Sequence, residues 1–194
     1  MDGAESDEQL VRRYQAGNAE AFEILVERHD RRVYNLCLRI LGDPEEAADA
    51  SQDTFLVALR KLHTFRGEAA FTTWLHRVTV NACYDSLRRK RRRPLLHVVV
   101  EGQEDRPEPA PPVEDPAPRV ELSVDVARAL REVPEEFRVA IVLADVEDLP
   151  YERIAEVLGI PVGTVKSRVF RGRAALGRAL GEPSRSSRAS EEEA

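Results

Sequence analysis

Residues 164 to 180 carry Lys166, Arg168, Arg171, Arg173 and Arg178 with no acid among them. A second basic run, Arg88-Arg89-Lys90-Arg91-Arg92-Arg93, is unbroken. Cations at this density neutralise phosphates without reading sequence. The later cluster is interleaved with Thr164, Ser167 and Phe170, and such side chains reach base edges or a thymine methyl. Acids gather elsewhere. Glu46, Asp49 and Asp53, at i, i+3 and i+7, make one helical edge with Gln52 beside it. The dipole of a first helical turn accounts for Glu45 and Glu46; Asp49 and Asp53 lie too deep for it. A net charge of −6 argues against nucleic acid when taken as a sum. Segregated into blocks, it points to two different partners.

Other chemistries find no support. His29, His63, His76 and His97 are scattered, without ligand spacing or nucleophile pairing, and no glycine loop is built to cradle phosphate. His29 and His76 fall in helical patterns and are expected at the core edge or surface. Cys37 and Cys83 sit inside apolar helical patterns and read as buried thiols in a reducing compartment. No metal, cofactor or catalysis is expected. The start, Met1-Asp2-Gly3-Ala4-Glu5, is too acidic for a secretory signal, and no apolar stretch approaches a membrane span. A cytoplasmic protein is the expectation.

The elements that must position these residues read as all-α. Ser6 and Gln9 form a capping box ahead of Leu10, Val11 and Tyr14, and Gly17 closes that helix. Asn18 caps the next, whose face is Phe22, Leu25, Val26, His29, Val33, Leu36, Cys37 and Ile40, ending at Gly42. Asp43-Pro44 restarts the chain, and Ala47, Ser51, Phe55, Ala58, Leu59 and Leu62 line the third helix. After a loop through Gly67, a fourth helix buries Phe71, Trp74, Leu75, Val78 and Ala82 and runs into the basic cluster. Four helices with short connections make a bundle. From Pro94 to Pro118 lie seven of the 12 prolines among many acids, the composition of a flexible acidic linker in which only Leu95 to Val100 is apolar enough to pack locally, as a brief strand or against a partner. Helical periodicity resumes near Val120, and Gly181 to Ala194 reads as a disordered tail.

Residues 149–176 read as a helix-turn-helix. Ile154, Ala155 and Leu158 face inward on the first helix, Gly159 makes the turn with positive φ, and Ile160 plugs the corner. Val165 and Val169 bury the second helix, leaving Thr164, Lys166, Ser167, Phe170 and Arg171 facing out, where a recognition helix meets the major groove.

At this point three strings resemble the extracytoplasmic-function branch of the sigma-70 family. Val162 to Leu176 is similar to the end of its region 4, Phe65 to Cys83 to regions 2.3–2.4, and Asp43 to Phe55 to region 2.2. The resemblance implies a region 2 domain over 1–93, a linker over 94–119, a region 4 helix-turn-helix domain over 120–180 and a tail over 181–194. It implies core RNA polymerase as partner, through the clamp of the largest subunit and the flap of the second-largest. Asp49, Gln52 and Asp53 are the implied clamp contacts. Phe65, Arg66 and Asn81 would hold melted promoter DNA, with Arg88, Arg89 and Lys90 on its phosphates. Thr164, Lys166, Ser167, Arg168, Phe170 and Arg171 would grip the distal promoter element, with Arg173 on phosphate or structural duty. An anti-sigma factor is a further implied partner. The competing readings are a stand-alone helix-turn-helix regulator, disfavoured by the separate loop-plus-basic-helix motif in the first half, and a small helical enzyme.

Overall fold

The computed structural model describes residues 5–92 and 124–181, and among these all regular structure is helical. The expected linker over 94–119, the brief strand considered at 95–100 and the expected tail after Gly181 lie outside the described residues.

In the first half, polar side chains start the helices. The Ser6 hydroxyl accepts from the Gln9 amide at 3.3 Å while the Gln9 side chain accepts from the Ser6 amide at 2.7 Å, opening α1 (Asp7–Gln15). The Asn18 side chain accepts from the Ala21 amide at 3.2 Å at the head of α2 (Glu20–Leu41). Asp43 accepts from the Glu45 and Glu46 amides at 3.0 and 3.1 Å, with Pro44 first in α3 (Pro44–Lys61). A 3-10 turn, Leu62–Thr64, and a loop lead to α4 (Phe71–Arg92).

Leu25, His29, Val33, Leu36, Cys37 and Ile40 recur at helical spacing on α2 and are buried where it packs on α3 and α4. Two expectations need correction. Leu59 is 42% exposed, and Ala50 and Thr54 take the interior of α3 instead. His29 and His76 are both buried. The His29 Nε2 lies 2.8 Å from Asp7 Oδ2. Burial pushes the His29 pKa down; the Asp7 carboxylate opposes the shift without cancelling it, and Arg28 and Arg32 add to it.

The second half contains α5 (Val124–Glu132), α6 (Glu135–Ile141), a π turn (Val142–Val146), α7 (Tyr151–Leu158) and α8 (Val162–Ala179). Its core joins Leu130, Val133, Val139, Ile141, Leu143, Ile154, Val165 and Val169. α8 crosses α6 at Gly172, where a Cβ would meet Ile141 Cγ2 at 2.5 Å and the Phe137 carbonyl oxygen at 2.9 Å. Only glycine permits that approach. In the π turn the Glu147 amide donates five residues back to the Val142 carbonyl at 3.0 Å. The left-handed backbone of Asp148, φ 52°, then redirects the chain toward α7. The two halves touch, with α7 resting on α4 and α5 beside α2.

Candidate nucleic-acid interface

α7, the turn and α8 form the helix-turn-helix. Gly159 has φ +64° and its amide donates to the Ala155 carbonyl, so the chain reverses where a side chain would be strained. Val165 and Val169 are sealed inside. On α7 the interior positions are Ile154 and Val157; Ala155 and Leu158, expected inside, are half-buried. The neighbouring apolar positions share one wide face, and its centre falls one residue away from the expected place.

The opposite face of α8 carries the expected side chains. Lys166, Ser167, Phe170 and Arg171 are exposed, Phe170 at 75%. An aromatic ring left this open is not needed by the core. The Ser167 hydroxyl donates to the Thr164 carbonyl at 2.9 Å, leaving its oxygen free to accept. Thr164 is half-buried at the edge of this face. Arg168 and Arg173 hold the scaffold: Arg168 pairs with Glu136 at 3.0 Å, and Arg173 forks onto Asp145 at 3.1 and 2.5 Å. The Arg171 guanidinium lies 6.0 Å from the centre of the Phe137 ring.

In the first half, Asn81 is exposed on α4 between buried Val80 and Ala82, its amide free at the surface. Arg66 is exposed in the loop before α4. Phe65 is half-buried, its ring centre 5.3 Å from that of Trp74 and 6.4 Å from that of Phe71. That ring therefore packs into an aromatic cluster. The loop is pinned by a residue the sequence did not reveal: the Gln15 side chain donates to the carbonyls of Leu62 at 3.0 Å and Phe65 at 2.8 Å. At the end of α4, Arg88 pairs with Asp85, Arg89 pairs with Asp53 at 3.1 Å, and Lys90 is exposed.

On α3, Asp49 and Gln52 are exposed and Asp53 is half-buried through its pair with Arg89. Leu56 and Leu59, 41% and 42% exposed, continue the same stripe toward the helix end. Acids beside unpaired leucines suit docking on a protein better than solvent alone. Among the described residues no group of three or more His, Cys, Asp or Glu could hold a metal ion, and no helix is long and apolar enough to cross a membrane.

The fold and these surfaces define an all-helical protein whose second half carries a helix-turn-helix with an exposed basic and aromatic face. Comparison with known proteins gives the family. Residues 25–93 match Sigma-70 region 2, and residues 123–176 match Sigma-70, region 4. The chain is 39% identical over 182 residues to the RNA polymerase sigma-H factor of Pseudomonas aeruginosa, covering 91% of this chain and 94% of that protein. It is 40% identical over 176 residues to the ECF RNA polymerase sigma factor SigM of Mycobacterium tuberculosis, covering 91% and 85%. With the ECF RNA polymerase sigma factor SigW of Bacillus subtilis it shares 34% over 176 residues, covering 88% and 94%. The fold matches that of the sigma factor RpoE from Bartonella quintana, solved in complex with the anti-sigma factor NepR, at a TM-score of 0.65 and 24% identity over 84% of this chain and 98% of that one. It also matches CnrH, solved with the cytosolic domain of CnrY, at a TM-score of 0.64 and 24% identity over 91% and 98%. The chain belongs to the sigma-70 family, in its extracytoplasmic-function branch.

Proposed function

We propose that this sigma factor directs core RNA polymerase to its promoters through three surfaces. The α3 stripe of Asp49, Gln52 and Asp53 docks on the clamp of the largest subunit, and the second half meets the flap of the second-largest. Phe65, Arg66 and Asn81 hold the melted start-proximal element, Asn81 offering donor and acceptor to an unpaired base edge. Arg88, Arg89 and Lys90 neutralise its phosphates. On α8, Lys166, Ser167, Phe170 and Arg171 read the distal element as duplex, with Thr164 at the rim and Arg168 acting from its pair with Glu136. The observation that carries this reading is the occurrence, in order in one chain, of the region 2 and region 4 matches. The work is recognition and melting, without catalysis, in the cytoplasm.

Because RpoE was solved with the anti-sigma factor NepR and CnrH with the cytosolic domain of CnrY, an anti-sigma factor is the natural regulator of this chain. The test is run-off transcription with purified core polymerase on DNA from upstream of the protein's own gene. Initiation should require the chain and fail with Asp53→Lys or Asn81→Ala. Tight, salt-sensitive duplex binding by the chain alone, with no initiation, would instead identify a stand-alone regulator.

A further inference from the structure

Glu147 ends the π turn with its side chain only 4% exposed. The side chains that meet it belong to the other half of the molecule. Arg32 Nε donates to Oε2 at 2.8 Å, Arg39 Nη1 lies 3.5 Å from Oε1, and His76 Nε2 lies 3.5 Å from Oε2. Burial alone would raise the pKa of this carboxyl. Hydrogen bonds from His76 and Arg32, with the charges behind them, outweigh burial and hold it below the ordinary glutamate value. Around this centre the same boundary carries the Arg91–Glu135 pair at 2.6 Å. The Arg131 side chain also lies across Gly42, its Cγ 2.8 Å from where a Cβ would stand.

The burial pattern of α4 is a second, independent sign. Thr73, Trp74, Leu75 and His76 are all buried, as are Val78, Thr79 and Val80. Successive helical residues turn by about 100°, so four in a row sweep about 300°. Such a helix is covered from two sides. α2 and α3 supply one cover, and α7 of the helix-turn-helix supplies the other.

We propose that Glu147 is an interdomain latch: held by Arg32, Arg39 and His76, it keeps the free chain closed with α7 on α4, a state that must open before promoter engagement. The need for opening rests on the function proposed above. α4 carries Asn81 and leads into the basic run, while α7 belongs to the other reading unit. Two units packed directly on one another cannot address two separated promoter elements. Opening strands a buried carboxylate away from its cations, so intermediate positions are disfavoured and the contact behaves as two discrete states. Core polymerase shifts the balance by binding the open state.

The experiment uses the full chain. X-ray scattering should show wild type compact, and Glu147→Gln, which keeps shape and removes charge, should raise the radius of gyration. Affinity for core polymerase should rise by about threefold or more, since a larger fraction is already open. An exposed-pair control guards against local misfolding: Arg91→Glu and Glu135→Arg should each expand the chain, and the double swap should restore compactness. If Glu147→Gln stays as compact as wild type, the latch is overturned. If it expands but binds core no tighter, the inhibitory role is overturned. A chain that closes and opens as described yet never supports initiation would count against the proposed function and leave the latch standing.

Discussion

The two halves start their helices by different means. In the first, side chains of Ser6, Asn18 and Asp43 accept from the amides of α1, α2 and α3. In the second, α6, α7 and α8 follow Pro134, Pro150 and Pro161, at φ −52°, −63° and −60°, with no side-chain cap. A capping bond stabilises the folded helix; a proline removes conformations from the unfolded chain. Charge shows the same contrast. Asp7 is matched within the first half by Arg28, whereas Glu147 in the second is matched from outside. The first half satisfies Asp7 internally, although α7 of the second also covers its α4. The second is a unit stiffened by prolines, in which α6, α7 and α8 start without side-chain caps.

The sharpest break in this comparison is Gly172→Val. Its side chain must displace Ile141 and the Phe137 carbonyl, so α6 and α8 separate at a cost of roughly 3 kcal/mol. Hydrogen exchange on the full chain should show protection lost in α6 and α8 and kept in α2 and α3. Equal loss in both halves would show that the first depends on the second for its stability.

A smaller effect separates the two proposed reading surfaces. Asn81→Ala should weaken binding of holoenzyme to single-stranded start-proximal DNA and leave upstream duplex binding intact; Phe170→Ala should do the reverse. Each loss is expected near roughly 1–2 kcal/mol, the scale of one base contact. Both residues are exposed, so thermal stability should hardly move. Fluorescence anisotropy with fork-junction and duplex probes reads the two arms separately.

How legible this molecule is in its sequence follows from the range of each interaction. Ser6 with Gln9, Asp43 with Pro44 and Gly159 are local chemistry, and the helix ends they set stand where the residues place them. Val165 and Val169, one turn apart, likewise fix the buried side of α8. Faces with several adjacent apolar residues are less determinate. Period alone does not choose between Val157 and Leu158, or between Thr54 and Leu59, because the choice is made by what packs opposite. Pairs distant in sequence leave no signal at all. Arg32 meets Glu147 across 115 positions, Gln15 meets Phe65 across 50, and Arg89 meets Asp53 across 36. The π turn leaves no breaker residue in the sequence either; Val142 and Leu143 within it are fully buried.

Titration offers another way to tell self-contained charge from borrowed charge. His29 is held below its ordinary value of 6.5, so the folded first half prefers it neutral. The stability it contributes is complete above that value and declines as pH falls from there toward the lowered folded pKa. Glu147 is held below its ordinary 4.5, so its contribution is complete above that value and is lost as pH falls through the lowered folded pKa. Melting of the first half should therefore weaken on going from pH 7 to pH 5 while the closed arrangement persists by scattering. Expansion of the chain before any loss of first-half stability would reverse that order.

The smallest effects test the contrast in helix starts itself. Asp43→Ala removes an acceptor used by two amides and should lower stability by about 1 kcal/mol. Pro161→Ala leaves the bonds from the Thr164 and Val165 amides to its carbonyl in place, and acts mainly by loosening the unfolded chain. Its cost should be about 0.5 kcal/mol. Pro161→Ser then separates the two mechanisms within one site, because the hydroxyl adds a cap while the ring's restriction is lost. If side-chain caps and prolines are alternative solutions of similar worth, Pro161→Ser should melt within a degree or two of wild type and above Pro161→Ala. It should also bind distal duplex less tightly if, as proposed, the start of α8 meets the phosphates, because its hydroxyl occupies amides that would otherwise be open to them. Denaturant melts and duplex anisotropy on the same three proteins give both readings, and a serine variant that gains stability with unchanged DNA affinity would show that those amides have no part in binding.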